Sequence, residues 1–388
     1  MKTRCAVWIS LLVLPSTALG QSGDEWRERF AAGQQALATG NFATYARHMH
    51  AAAEAMPPGH LNRPFVQYHA ARAAALADRP PEAVAWLARA WEEDIESLMI
   101  SFATYDPAFD AMRSHAGFVD LMTSLGEVEI VPRPLGGSVH LLTGAGSNVL
   151  VQTGPDGAVL VDTGYGPALP ALLRALDRLG AGPIGHLLIT HPHEDHLGGT
   201  PDLGERVTIV AHPRTGAAMA EPYVFMEGVE VPPKPATARP DVTVERDTVM
   251  TLNGEEVRVV ALPAHTDADL AVYFAGSRVA HLGDLYLGGN PMMFPGGEDP
   301  DAFLLAMERF LDGLHPNAVV LGGHDEPVDV GAVRAQIEEA RACMAYVREA
   351  IAAGQDAAAA ADAAPGRFPP QWVRFFHGAL ARAREGSP

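Results

Sequence analysis

The stretch Thr190-His191-Pro192-His193-Glu194-Asp195-His196-Leu197-Gly198-Gly199 sets three imidazoles and the Asp195 carboxylate within six residues. It directly follows the apolar run 186–190, which reads as a buried strand, and the end of a strand is where α/β sheets place their ligands. With 16 His among 388 residues, a cluster this dense points to metal rather than to chance. In an extended loop His191 and His193 share a side, while Asp195 and His196 can turn toward a second position, so one loop can serve two ions. Imidazole nitrogen and carboxylate oxygen are donors that zinc takes, and a catalytic zinc site keeps one coordination position open for water.

One loop cannot close two sites, so the remaining donors must come from other strand ends. His265 follows the apolar run 257–262, Asp284 follows 278–282, and His324 follows 318–321. Each stands where a layered fold with one active edge would put it. His212 and His281 also lie near strand ends, but the set is complete without them, and a hydrogen-bonded histidine at the sheet edge is the expectation for both. Tyr286, just after a candidate ligand, and Phe294, in the Gly/Pro-rich loop 288–297, are the candidate walls of a substrate pocket. The chain has no Gly-x-Ser-x-Gly elbow, which argues against a serine nucleophile. Gly144-Ala145-Gly146 lacks the third spaced glycine of a dinucleotide loop and reads as a turn.

Around this core the chain divides. A length of 388 residues exceeds the ~150 typical of one domain, and 48% hydrophobic with 19% charged residues is a globular composition. Residues 1–20 have the form of an export signal: Lys2 and Arg4, an apolar stretch over 5–14, then Ala18-Leu19-Gly20. Cleavage is expected before Gln21, giving a periplasmic or secreted protein, since ten apolar residues reach only about half of a hydrocarbon core. Residues 24–126 are Ala-rich with helical periodicity, and a shift of 39 residues superposes two helical hairpins with turns at Gly40-Asn41 and Arg79-Pro80. They resemble tetratricopeptide repeats, which implies either a surface for a protein partner or a bundle packed on the next domain. Residues 128–327 switch to short β-branched runs punctuated by Gly and Pro, and 328–388 return to helix, with one helix over 336–352, an Ala-rich connector over 353–365 and a final helix over 370–384; Tyr223 and Phe225 fall in a loop. The fold class is therefore α+β, an all-α segment followed by a layered α/β domain. Because every candidate ligand lies between 191 and 324, the chemistry is expected not to need the helices.

Charge and cysteine content narrow the function. With 28 Lys and Arg against 47 Asp and Glu, the net charge of −19 opposes binding to nucleic acid. Cys5 and Cys343 are the only cysteines, so neither a disulfide framework nor a Cys-rich zinc finger is available. After residue 20 no apolar segment is long enough to span a membrane.

The His-x-His-x-Asp-His loop followed in order by His265, Asp284 and His324 resembles the metallo-β-lactamase superfamily, over roughly 128–327. The resemblance implies an αββα fold and two Zn²⁺, with iron or manganese as alternatives. By position, His191, His193 and His265 would hold the first ion, Asp195, His196 and His324 the second, and Asp284 would bridge them. Asp195 and Asp284 would thus take part in catalysis, and Asp162, in Leu160-Val161-Asp162-Thr163-Gly164, would support a ligand from behind. Ala268 stands where members often have Gly. A hydroxide held between the metals would cleave a carbonyl-type bond of a small molecule: lactone, thioester or lactam, with an anionic group favoured by the positive centre. A bridging Asp284 looks more like the glyoxalase II and lactonase branches than true β-lactamases. Two alternatives use the same chain differently: an iron-dependent sulfur oxygenase with a mononuclear site, and a non-catalytic protein that binds a partner through its helices.

Overall fold

The computed structural model describes residues 25–385 apart from 59, 61, 94–97, 227 and 289–298; the expected leader 1–20 and Phe294 lie outside the described residues. The chain begins with α1 (Glu25–Ala38), α2 (Phe42–Ala55), α3 (Arg63–Leu76) and α4 (Pro80–Glu93), paired as two hairpins with turns where the sequence places them. Small side chains make the close packing possible: Ala46, Ala52, Ala70, Ala71, Ala73 and Ala74 are fully buried against Tyr45, Met49, Tyr68 and Leu87. Asn41 starts α2 by accepting a hydrogen bond from the Thr44 amide, satisfying an orphan donor of the first turn. The layer also buries an ion pair. Arg72 Nε lies 2.6 Å from Asp106 Oδ2, which accepts a hydrogen bond from the Tyr68 hydroxyl at 2.9 Å.

Two sheets follow. The first contains β1 (Arg133–Gly136), β2 (Val139–Leu142), β3 (Val149–Gln152), β4 (Ala158–Val161), β5 (Ile184–Leu188), β6 (Thr208–Ala211) and β9 (Val242–Thr243) in that order. Strands β7 (Tyr223–Met226) and β8 (Val229–Val231) form a separate antiparallel hairpin. The second sheet runs β10 (Thr248–Leu252), β11 (Glu255–Ala261), β12 (Leu270–Phe274), β13 (Val279–His281), β14 (Val319–Leu321) and β15 (Val328–Asp329).

Strand alternation assigns the layers. In β3, Val149 and Val151 face a helix at Leu169–Leu179, while Leu150 joins Val159, Val161 and Leu188 between the sheets. In β12, Val272 and Phe274 meet them from the second sheet, while Ala271 and Tyr273 face helices Pro300–Asp312, Val330–Ala352 and Pro370–Glu385. The result is helix, sheet, sheet, helix. The C-terminal helices are the outer layer of the second sheet, whose last strand, β15, comes just before them.

Several expectations shift. The helix read over 336–352 starts at Val330, because Asp329 caps it by accepting from the Ala332 amide. The connector 353–365 contains a short helix, Ala357–Asp362, capped in the same way by Asp356. Tyr223 and Phe225, expected in a loop, belong to the β7–β8 hairpin. Its inner residues Phe225, Val229 and Val231 are buried in the core of the helical layer, where the Phe225 ring stacks on Phe102. None of the described helices is long and apolar enough to cross a membrane.

Candidate metal centre

The candidate ligands gather at one edge, and within each sheet the strands that precede them run the same way. Strands β4 and β5 are parallel, as are β13 and β14, and β11 points with β13 because each is antiparallel to β12. Their C-terminal ends therefore deliver Asp162, the 191–196 loop, Asp284, His324 and His265 to the same place. Two groups result, His191, His193, His265 and Asp284, and Asp195, His196, Asp284 and His324, each with ligand atoms within 4.8 Å of one another.

In the first group His193 Nδ1 lies 3.0 Å from His191 Nε2 and 2.9 Å from His265 Nε2. In the second, His324 Nε2 is 3.1 Å from Asp195 Oδ2, and His196 Nε2 is 3.3 Å from the same oxygen. Asp284 is divided between them. Its Oδ2 is 3.5 Å from His265 Nε2, and its Oδ1 is 3.3 Å from His196 Nε2 and 3.4 Å from His324 Nε2.

This donor set fits divalent cations. Three imidazole nitrogens aimed at one point cannot all be satisfied by one another's protons, and His196 Nε2 and Asp284 Oδ1 are buried without a hydrogen-bond partner. Burial, reinforced by neighbouring imidazoles, pushes His191 well below the usual range, and burial takes His265 to about 3, so both are neutral donors. In the second group burial also works against charge, but the Asp195, Asp284 and Asp162 carboxylates outweigh it and hold His196 well above its ordinary value. Asp284 and Asp195 do the same for His324. Conversely, burial opposes ionisation of Asp284, yet His196 and His324 keep it ionised far below the usual carboxylate range. The carboxylates demand positive charge at a point where imidazole nitrogens converge.

Surrounding groups hold these donors in place. Asp162, fully buried with φ +65°, accepts from the Thr190 amide and hydroxyl at 2.8 Å each and meets His196 Nδ1 at 2.7 Å. A non-glycine residue in that left-handed region costs energy, and here the strain turns its carboxylate onto a ligand. Ser147 donates to the Asp195 carbonyl, and Asn148 donates its side-chain amide to the carbonyls of Gly322 and Asp325, fixing the His324 loop. Gly323 has to be glycine, because a Cβ there would sit 2.1 Å from Asp284 Oδ1. The His265 loop folds around Asp269, which accepts from the amides of Ala264 and Thr266 and from the Thr266 hydroxyl. Ala268 is absent from the residues with positive φ, so the loop accommodates its methyl group without backbone strain.

The other candidates fall outside the two groups. His281 is fully buried and braces backbone, with Nδ1 accepting from the Gly283 amide and Nε2 against the Asn148 carbonyl. His212 caps the helix Pro213–Met219 through the Arg214 amide. Tyr286 is 5% exposed and packs in the core beneath the second sheet. Sequence reasoning passed over three groups near the centre. Asp269 is named by no spacing rule, and Glu194 and Lys234 meet at 2.6 Å although forty residues separate them.

Comparison with known proteins agrees with this geometry. Residues 141–324 match the metallo-beta-lactamase superfamily, so the chain carries a domain of that superfamily. A hydroxyacylglutathione hydrolase of Acidiphilium cryptum is 31% identical over 156 residues, 40% of this chain and 56% of that protein. Metallo-beta-lactamase domain-containing protein 1 of Mus musculus is 27% identical over 252 residues, 63% of this chain and 86% of that protein. The chain spans about half the length of the hydroxyacylglutathione hydrolases it matches. Among solved structures, the sec-alkyl sulfatase PisA1 shares the fold with a TM-score of 0.51 at 16% identity, over 69% of this chain and 52% of that one.

Proposed function

We propose that the protein is a zinc-dependent hydrolase with a paired metal centre that cleaves a carbonyl-type bond in a small molecule. The observation that carries this reading is Asp284, one oxygen toward His265 and the other toward His196 and His324. His191, His193 and His265 would hold one ion and Asp195, His196 and His324 the other, with Asp284 shared. When bound, such ions lower the pKa of water toward neutrality and polarise a substrate carbonyl. The chain's own part is to supply neutral imidazoles, to keep Asp195 and Asp284 ionised, and to orient His196 through Asp162. Four cationic charges against Asp195 and Asp284 leave the centre positive, which favours a substrate with an anionic group. Among lactones, thioesters and lactams, the hydroxyacylglutathione hydrolases similar to this chain favour the thioester. The complete second group favours two ions over the single iron of an oxygenase. We also assign the protein outside the cytoplasm, on the strength of its leader, with Gln21 as the mature N-terminus.

The test is metal quantification joined to a panel of lactones, thioesters and lactams. Two zincs per chain are expected, with turnover lost on chelation and restored by zinc. Full turnover of metal-free protein would refute the reading, and one iron per chain would replace it with the oxygenase.

A further inference from the structure

Glu194 stands between His193 of the first group and Asp195 of the second, yet its side chain joins neither. It is 5% exposed, and its Oε1 lies 2.6 Å from Lys234 Nζ and 3.4 Å from the Tyr105 hydroxyl. Its Oε2 is buried with no hydrogen-bond partner, so the carboxylate's polar anchorage is through Oε1 alone. Both side chains of the Lys234–Glu194 pair are almost wholly excluded from water. A buried ion pair is a poor way to gain stability, because desolvation cancels most of its attraction, but it fixes geometry.

The two partners of Glu194 are themselves fixed. The Lys234 amide donates to the Met219 carbonyl at 2.8 Å, and its carbonyl accepts from Arg239 Nε and Nη2. Lys234 follows the β7–β8 hairpin, whose Phe225 stacks on Phe102 of the helical layer. Tyr105 belongs to that layer and precedes Asp106, which is locked by Arg72 and Tyr68. The Lys234 ammonium also lies 5.8 Å from the centre of the Tyr105 ring. Helical layer, hairpin and metal loop thus converge on one carboxylate.

We infer that Tyr105 and Lys234 act through Glu194 as a strut by which the helical layer sets the position of the metal loop, making all three positioning residues for the centre. Glu194 opens the single helical turn Glu194–Leu197, for which His193 is the cap residue. The orientation of that turn decides how far His193 stands from Asp195 and His196, and therefore whether both ions are held at once. This inference rests on the metal-centre reading.

Cobalt(II) is the probe, since its visible absorption reports ligand geometry independently of turnover. Lys234→Met leaves an unpaired buried carboxylate and should lower the thermal midpoint. The double variant Glu194→Gln/Lys234→Met removes both charges at nearly constant volume and should recover most of that loss. The strut predicts that the double variant, and Tyr105→Phe to a lesser degree, still bind the second cobalt about 10-fold more weakly or worse, with an altered spectrum. A double variant that regains stability and also shows the wild-type spectrum and affinity would overturn the strut. Wild-type protein that takes up no cobalt would instead overturn the metal-centre reading, and the strut with it.

Discussion

At the scale of single residues, Asp284 is what joins the two candidate groups into one proposed centre. A carboxylate that offers an oxygen to each group offsets the repulsion between two dications and keeps them close enough to share a water. Asp284→Asn retains the shape but loses the charge and one acceptor. It should keep most of the first ion, held by three histidines, while weakening the second and lowering turnover at least about 100-fold. Metal-to-protein ratios with steady-state rates check this, and a variant with two ions and normal rates would remove Asp284 from the assignment. The histidines make a second prediction, about acid. Burial keeps His191, His193 and His265 below their ordinary value, with His265 at about 3, so these ligands need lose no proton to bind at neutral pH. His196 and His324 are held above theirs, and an ion arriving there must displace protons. Affinity at the second position should therefore fall as soon as pH drops below those raised values, while the first position holds into acid. Titrating the bound metal downward from alkaline pH should show one ion leaving well before the other; simultaneous loss would contradict the unequal environments.

At the scale of elements, the sequence made visible whatever its own periodicity decides. The strands leading into the metal loop, His265, Asp284 and His324 are short apolar runs ended by polar residues, and the structure places all four endings at one edge. The β7–β8 hairpin was illegible for a physical reason. Tyr223-Val224-Phe225-Met226 shows no alternation of polarity, and the surface that buries Phe225 comes from Phe102, more than a hundred residues earlier. Glu194 was hidden in the same way, since its neighbours in sequence are candidate metal ligands and its partners, Tyr105 and Lys234, are remote. Loss of the Phe225 ring tests the docking directly. With 5% exposure and a stacked partner, Phe225→Ala should cost about 3–5 kcal/mol in denaturant unfolding, the range for emptying a core aromatic site. A cost below about 1 kcal/mol would mean that the hairpin does not rest on the helices.

At the scale of the whole molecule, the question is whether the helical layer is an attachment or an integral part of the molecule around the candidate site. Ligand positions alone, all between 191 and 324, make it dispensable; packing makes it integral. The hairpin lends Phe225, Val229 and Val231 to the helical core, each 5% exposed or less, and Tyr105 reaches back to the metal loop. A second contact joins Trp91, Ile100 and Ser101 to Gly144, Ala145 and Tyr165 around a cavity of about 20 Å³, room for a single water. A chain beginning at Glu127 would uncover all of these surfaces together, and contiguous apolar surface of that kind drives association. Such a chain should therefore self-associate in light scattering, bind hydrophobic dye, and take up less than two equivalents of metal. The shortened chain keeps most of the full chain's net charge of −19, which works against aggregation, so association in spite of it would locate its cause in the uncovered face. A monomeric product with two ions and undiminished thermal stability would show that the helices only rest on the sheet domain, and the coupling through Glu194 would then have no consequence for the centre.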